Sequence, residues 1–342
     1  MSEFINNSEK RVDAILQFSL GMLNKKNGSL LFEKYKDELE SMTPHDVIEM
    51  QDRQINLDVS IADIKIHLEK VLNVVSSALE KYQWEKPTEG HPIFYLMQEN
   101  RELEKVLSKI KAAIINDDFS QMVELFKNLQ NYENHMIRKE NILFPYIEKL
   151  WDNYGCLKIM WSLHDDIRKN LKTIVQLFKT QKKITPEINK LIGEIFFLMY
   201  GMIFKEELIV YPVAIETFSD TDWQKIQEQS LEIGYSYIET PQNITPLKKE
   251  NPKSSISDLF WKVETGELSK KQLELLLNHL PFDVTFVDEN DEVRFFSRPK
   301  DRFFPRSPAI IGRKVQDCHP PESVHIVKKI VEEFKAGNKT EA

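Results

Sequence analysis

The chain has 342 residues, 41% hydrophobic and 29% charged, with a formal net charge of −8. That length suits two or three domains, and an acidic balance without a basic stripe excludes nucleic acid as the main partner, because phosphate binding needs a basic field. Ten glycines in a chain dominated by Leu, Glu, Lys and Ile favour a mainly helical architecture. Cys156 and Cys318 are the only cysteines, so neither a disulfide framework nor a four-cysteine zinc or iron–sulfur site is available.

Residues 1–19 lack a basic start followed by an apolar core, so no secretory signal is read there. The longest apolar run, residues 195–204, is about half of a bilayer span and is stopped by Lys205, Glu206 and Glu207. The expectation is a cytoplasmic protein with no membrane partner.

Residues 9–84 read as short amphipathic helices, with Val12, Ile15, Leu16 and Leu20, then Ile61, Ile64, Leu68, Val71, Leu72 and Val75, at helical spacing. Thr43-Pro44 is a cap with a first-turn proline. His45 and His67 stand alone and read as surface or packing residues. After a break at residues 86–90, four long helical patterns follow over residues 91–115, 119–150, 156–180 and 186–217, joined by short connections, which predicts an up-down-up-down bundle. A fifth helix is expected over residues 220–238. Residues 240–257 carry three prolines and few apolar side chains and read as a linker. Beyond it the pattern predicts helix over residues 257–264 and 269–279. The period then changes to two around Val284, Phe286 and Val287 and again around Val293, Phe295 and Phe296, a hairpin signature. Helix returns over residues 326–334.

One stretch occurs twice. Residues 135–145 read HMIRKENILFP and residues 202–212 read MIFKEELIVYP, the same length to the proline with an aromatic before it. Each proline is expected to end or kink its helix. His164 shares a helical face with Met160, Trp161, Ile167 and Leu171. Glu206 lies with Met199, Met202, Ile203 and Val210, and Glu207 with Tyr200, Phe204 and Tyr211. A carboxylate on such a face costs several kcal/mol, on the order of 2–7, unless a cation or hydrogen bonds meet it. A metal would meet it, and imidazole with carboxylate suits non-haem iron or manganese; Lys205 or Arg168 would serve as well.

These residues resemble the hemerythrin-like, cation-binding HHE bundle over residues 91–217, with Leu143-Phe144-Pro145 as its recurrent ending. The wider arrangement is similar to a bacterial group that joins an N-terminal domain of unknown function, such a bundle and a C-terminal PAS domain. Residues 43–79, Gly90-His91-Pro92, Met160-Trp161 with His164-Asp165, and residues 312–324 carry that likeness. It implies His135, His164 and Glu206 as matched metal ligands. The chain departs from the pattern at Asn100, which stands for the first-helix histidine and follows Glu99, at Lys139, which holds the usual carboxylate place of the second helix, and at Met202, which stands for a histidine of the fourth. His91, Glu99, Glu140 and Glu207 are the substitutes on offer.

The resulting expectation is a mainly α protein divided into an N-terminal helical domain (1–86), a hemerythrin-like bundle with an end helix (87–239), a linker (240–257) and a truncated α+β PAS-like segment (258–342). Its metal site would comprise His91, His135, Glu140, His164, Glu206 and Glu207 and hold iron, as a di-iron or mononuclear centre, with Mn or Zn as alternatives. The expected function is a sensor or stress protein whose partner is O2, nitric oxide or peroxide, and which dimerises through the PAS-like edge. The alternative is a helical interaction or regulatory module with a degenerate metal site.

Overall fold

The computed structural model describes residues 2–241, 260–300, 302 and 305–341. Most of the expected linker, and the start of the helix expected at residue 257, lie outside the described residues.

The N-terminal part comprises α1 (Ser2–Leu23), α2 (Gly28–Lys34), α3 (Lys36–Glu40), α4 (Pro44–Asn56) and α5 (Ile61–Lys81). Thr43 caps α4 in a reciprocal box with Asp46, which satisfies backbone N–H groups that a helix start leaves unpaired. Asp46 is fully buried and is met by Arg11 at 2.6 Å and Ser8 at 2.7 Å.

The bundle follows. Its first rod is α6 (Pro92–Ile115) and its second runs through α7 (Phe119–Leu129), α8 (Glu133–Arg138) and α9 (Phe144–Leu150). The third is α10 (Gly155–Thr180), and the fourth is α11 (Pro186–Lys205) continued by α12 (Tyr211–Thr217). The rods pack in sequence and close between α6 and α11, the arrangement that four long helices with short connections favour. Phe119 and Phe126 set their rings edge-on to Phe178 at centroid distances of 5.3 and 5.5 Å; burying such a ring contributes about 1.5–3 kcal/mol. One continuous core runs from Val12 to Ile226, so the N-terminal helices and the bundle share their hydrophobic interior. Gly155 permits part of this, since a Cβ there would meet Ile55 Cδ1 at 2.8 Å and the Asp52 Cα at 3.0 Å where α10 starts beside α4.

The repeated stretches do not end their helices. Residues Lys139–Leu143 and Glu206–Val210 each form a π-helical turn, and Pro145 and Pro212 sit in the first turn of the α-helix that follows. Each rod therefore continues through its proline where a stop was expected. The end helix α13 (Asp220–Ile233) is capped by Ser219 with Asp222 and stops at Gly234, whose φ of +87° suits glycine, five residues before the expected end.

The C-terminal part opens with a correction. Residues 260–263, expected in a helix, form β1 (Phe260–Val263), which pairs antiparallel with β2 (Gly266–Ser269). Gly266 at φ +150° lets the chain turn back. Helix α14 (Lys270–Asn278) follows, then the expected hairpin of β3 (Thr285–Val287) and β4 (Val293–Phe296), with a bulge at Phe286 and Val287. Two short 3-10 turns, Pro308–Ile310 and Val315–Cys318, lead to α15 (Pro321–Lys335). Among the described residues no helix is long and apolar enough to cross a membrane.

Candidate metal centre

The middle of the bundle is charged and buried. Glu99 from α6, His135 from α8, His164 from α10 and Glu206 from the fourth rod are all fully buried. Lys139 and Arg138 are buried beside them, and Glu140 nearly so. Each acid is answered by a base of the protein itself.

Glu206 accepts from the Lys139 ammonium on one oxygen. On the other it receives Asn100 Nδ2 at 2.9 Å and the Tyr211 hydroxyl at 2.9 Å, and faces His135 Nε2 at 3.2 Å. Burial alone would raise its carboxyl, but Lys139 and His135 together outweigh this and hold it well below the usual carboxylate range. Burial also draws the Lys139 ammonium below its ordinary value, and Glu206 opposes that shift. The pair therefore stands as ammonium and carboxylate, because each supplies the charge that the other's desolvation requires.

His135 bridges two acids, with Nε2 toward Glu206 and Nδ1 2.7 Å from Glu99. A neutral ring can donate to only one of them, whereas an imidazolium satisfies both. Glu99 also accepts from Arg138 and, at 2.5 Å, from the backbone N–H of Ser236. The Tyr132 ring stacks on His135 at 4.4 Å and donates its hydroxyl to Asn100 Oδ1 at 2.7 Å.

A separate pair lies toward the other side. Glu140 takes both Arg168 Nη groups, at 2.8 and 2.9 Å, and His164 Nδ1 at 2.7 Å. Burial works to raise this carboxyl, yet His164 and Arg168 hold it below the usual range. His164 is driven down to about 4, chiefly by burial and then by Lys139, so its ring is neutral. With Nδ1–H donated to Glu140, its Nε2 carries a lone pair that meets no partner among the described residues.

The six expected ligands thus fall into four places. His135 with Glu206, and His164 with Glu140, form two couples. Glu207 sits at the rim, accepting from Asn100 at 3.1 Å and from Arg101. His91 caps the start of α6 through Nδ1, which accepts from the Ile93 N–H at 3.1 Å, and packs on Trp223. His45 pairs with Glu216 at 2.7 Å on an exposed face. Lys205 and Arg168 had been the sequence's candidates to answer Glu206 and Glu207. Lys205 instead turns outward to Glu69, Arg168 goes to Glu140, and Lys139 takes Glu206. Sequence reasoning also missed Arg138, Tyr132, Tyr211 and Ser236. The one available signal was Lys139 in a carboxylate's place.

Among the described residues no three His, Cys, Asp or Glu side chains stand where they could hold one ion. The donor chemistry agrees: Glu99, Glu140 and Glu206 are matched by Arg138, Arg168 and Lys139, one cation for each carboxylate. An ammonium within bonding distance of a carboxylate repels a divalent ion and occupies the oxygen that would bind it. This arrangement does not fit a bound cation.

A search of curated proteins finds no match to this chain. Two family models do match: the hemerythrin HHE cation binding domain over residues 91–214 and a PAS domain over residues 273–342. The rods of the bundle and the hairpin with its following helix coincide with those two spans. Residues 91–214 are thus similar to the hemerythrin HHE cation binding domain, with the second and fourth rods supplying the repeated π-turns, and residues 273–342 are similar to a PAS domain.

Proposed function

We propose that this protein is a regulatory module in which a hemerythrin-type bundle works without a metal, as a charge-locked platform between the N-terminal helices and the PAS segment. The observation that carries this is the Lys139 ammonium bonded to the buried Glu206 carboxylate. An internal cation does electrostatically what a metal would do for that acid, and it leaves no charge for an ion to neutralise. The division at residues 86, 239 and 257 belongs to the same proposal. So does self-association through the PAS segment, where Phe282, Phe286, Leu275 and Leu276 are exposed.

A second reading keeps a metal, and the bare Nε2 of His164 favours it. Glu140 fixes the other nitrogen of that ring in the manner by which carboxylates orient metal-binding imidazoles. His135, His164 and Glu206, with Glu140, Glu207 and His91, would then supply donors to non-haem iron, or to Mn or Zn, in a sensor of O2, nitric oxide or peroxide. The two readings separate in one experiment. The full chain is incubated anaerobically with Fe(II), Mn(II) or Zn(II), desalted, and assayed for bound metal and melting temperature. The charge-locked platform predicts metal far below one ion per chain and an unchanged melting temperature, with uptake gained in Lys139→Glu, which returns a carboxylate to the second rod. Near-stoichiometric metal in the wild type, lost in His164→Ala, would overturn it in favour of the sensor.

A further inference from the structure

The chain that leaves α13 forms a strap, residues 234–238, laid against the buried charges of the bundle. Gly234 at φ +87° ends the helix, and Tyr237 holds φ +63°, a left-handed backbone that a tyrosine rarely adopts. Between them Ser236 is 1% exposed, its N–H donating to Glu99 at 2.5 Å and its hydroxyl oxygen accepting from the His135 N–H at 3.0 Å. Tyr235 lays its ring on the Arg138 guanidinium at 4.2 Å. The Tyr237 hydroxyl donates to the carbonyls of Asn128 and Leu129, at 3.1 and 3.3 Å, where α7 ends. Glu99, His135 and Arg138 thus each take one contact from the strap, and a buried carboxylate that loses a donor bears the cost of its own desolvation.

The last turns of α13, immediately before Gly234, grip the C-terminal segment. Gln229 Oε1 accepts from the Ala309 N–H at 3.1 Å, and Glu232 pairs with Arg298 at 2.9 Å. Trp223 and Ile226 anchor the front of the helix in the core, whereas Leu231 near its end is 40% exposed, so the end is the part that packing restrains least. A hollow of about 550 Å³, lined by Asn128, Asn134, Tyr235 and Tyr237, gives the strap room beside its seat. We infer that residues 234–238 are a latch through which the C-terminal segment controls the buried charges. While Ala309 and Arg298 hold the end of α13, Ser236 is seated. When they let go, the strap withdraws as a unit, Tyr237 leaves its left-handed backbone, and Glu99, His135 and Arg138 each lose a partner. The latch goes beyond the charge-locked platform by naming its moving part, and its contacts are the same whether or not the bundle takes up a metal.

Amide hydrogen exchange of the full chain, read by mass spectrometry over residues 130–138 and 305–311, tests the coupling in both directions. Gln229→Met removes the bonds to Ala309 and Tyr146, and Arg298→Ala removes the pair with Glu232 from the C-terminal side; both leave Glu99, His135 and Arg138 intact. Each should speed exchange over residues 130–138 by about threefold to tenfold, the gain in open population when one net hydrogen bond is lost. Coupling is reciprocal, so Ser236→Ala combined with Tyr237→Phe, which removes both side-chain bonds of the strap, should speed exchange over residues 305–311 by a similar factor. Residues 157–167, around His164 on the third rod, should stay as protected as in the wild type, which separates a latch from general loosening. Unchanged exchange over residues 130–138 in both single variants, unchanged exchange over residues 305–311 in the double variant, or equal acceleration over residues 157–167 would each overturn the latch.

Discussion

The two π-turns are copies in sequence but not in surroundings. The turn at Glu206–Val210 lies beneath the N-terminal helices, touching α4 and α5, and the Lys205 just before it reaches Glu69 of α5. The turn at Lys139–Leu143 faces the C-terminal segment and α13. There Ser307 donates to the Asn141 carbonyl at 2.5 Å. Ala309 N–H adds a bond to Gln229 of α13 at 3.1 Å, and Arg313 grips Glu148 at 2.5 Å. Inward, each turn points an acid into the bundle, Glu206 toward Lys139 and Glu140 toward Arg168; outward, each receives a different neighbour. Each proline-linked π-turn thus aims a carboxylate into the bundle, and the one at Lys139–Leu143 also exposes backbone that the flanking C-terminal segment binds.

The inward role breaks with the largest effect. Lys139→Met leaves Glu206 charged and buried without its cation, and we expect a loss of about 3–5 kcal/mol in urea unfolding. Adding Glu206→Gln should restore much of that loss, because the amide needs no counter-charge. If the single variant were as stable as the wild type, the ammonium would not be what holds this centre.

The second effect is a pH dependence. His164 titrates near 4 in the fold and near 6.5 when unfolded, so its contribution is fully present above about 6.5 and is lost as pH falls toward 4, on the order of 3 kcal/mol. Glu140 and Glu206, held below the usual range, extend the decline to lower pH. Asp165, raised to about 6 by burial, acts in the opposite sense across part of that window, and His91, lowered to about 4, acts in the same sense. The difference between wild type and His164→Phe isolates the effect: the variant's stability should fall less between pH 6.5 and 4.5. Parallel curves would mean that His164 is not buried as a neutral ring.

The outward role breaks most gently. Ser307→Ala removes the donor to Asn141 and should cost about 0.5–1.5 kcal/mol. It should raise amide hydrogen exchange over residues 305–318 while leaving α4 and α5 protected, since those pack on the other turn. Equal loosening at both turns would show that the two dockings are coupled.

Much of this architecture was legible in one dimension. Helical periodicity and short connections gave the four rods, and alternation gave the hairpin at β3 and β4, because those signals are local. Phe260–Val263 misled because a short run of aromatic and β-branched residues reads equally as either element until Gly266 is seen to turn it back. The centre was half legible. Apolar faces identified His164 and Glu206 as inward groups, the family resemblance added His135, and all three are buried. Their partners were not readable, since Lys139 and Glu206 lie 67 residues apart and meet only across the bundle.

By itself, then, the sequence determined which side chains must leave water: periodicity assigns each residue to a face, and that needs no knowledge of neighbouring rods. Only the tertiary structure decided what neutralises them there. Charge compensation acts through space over a few ångströms in a medium of low dielectric, and packing alone sets which base reaches which acid.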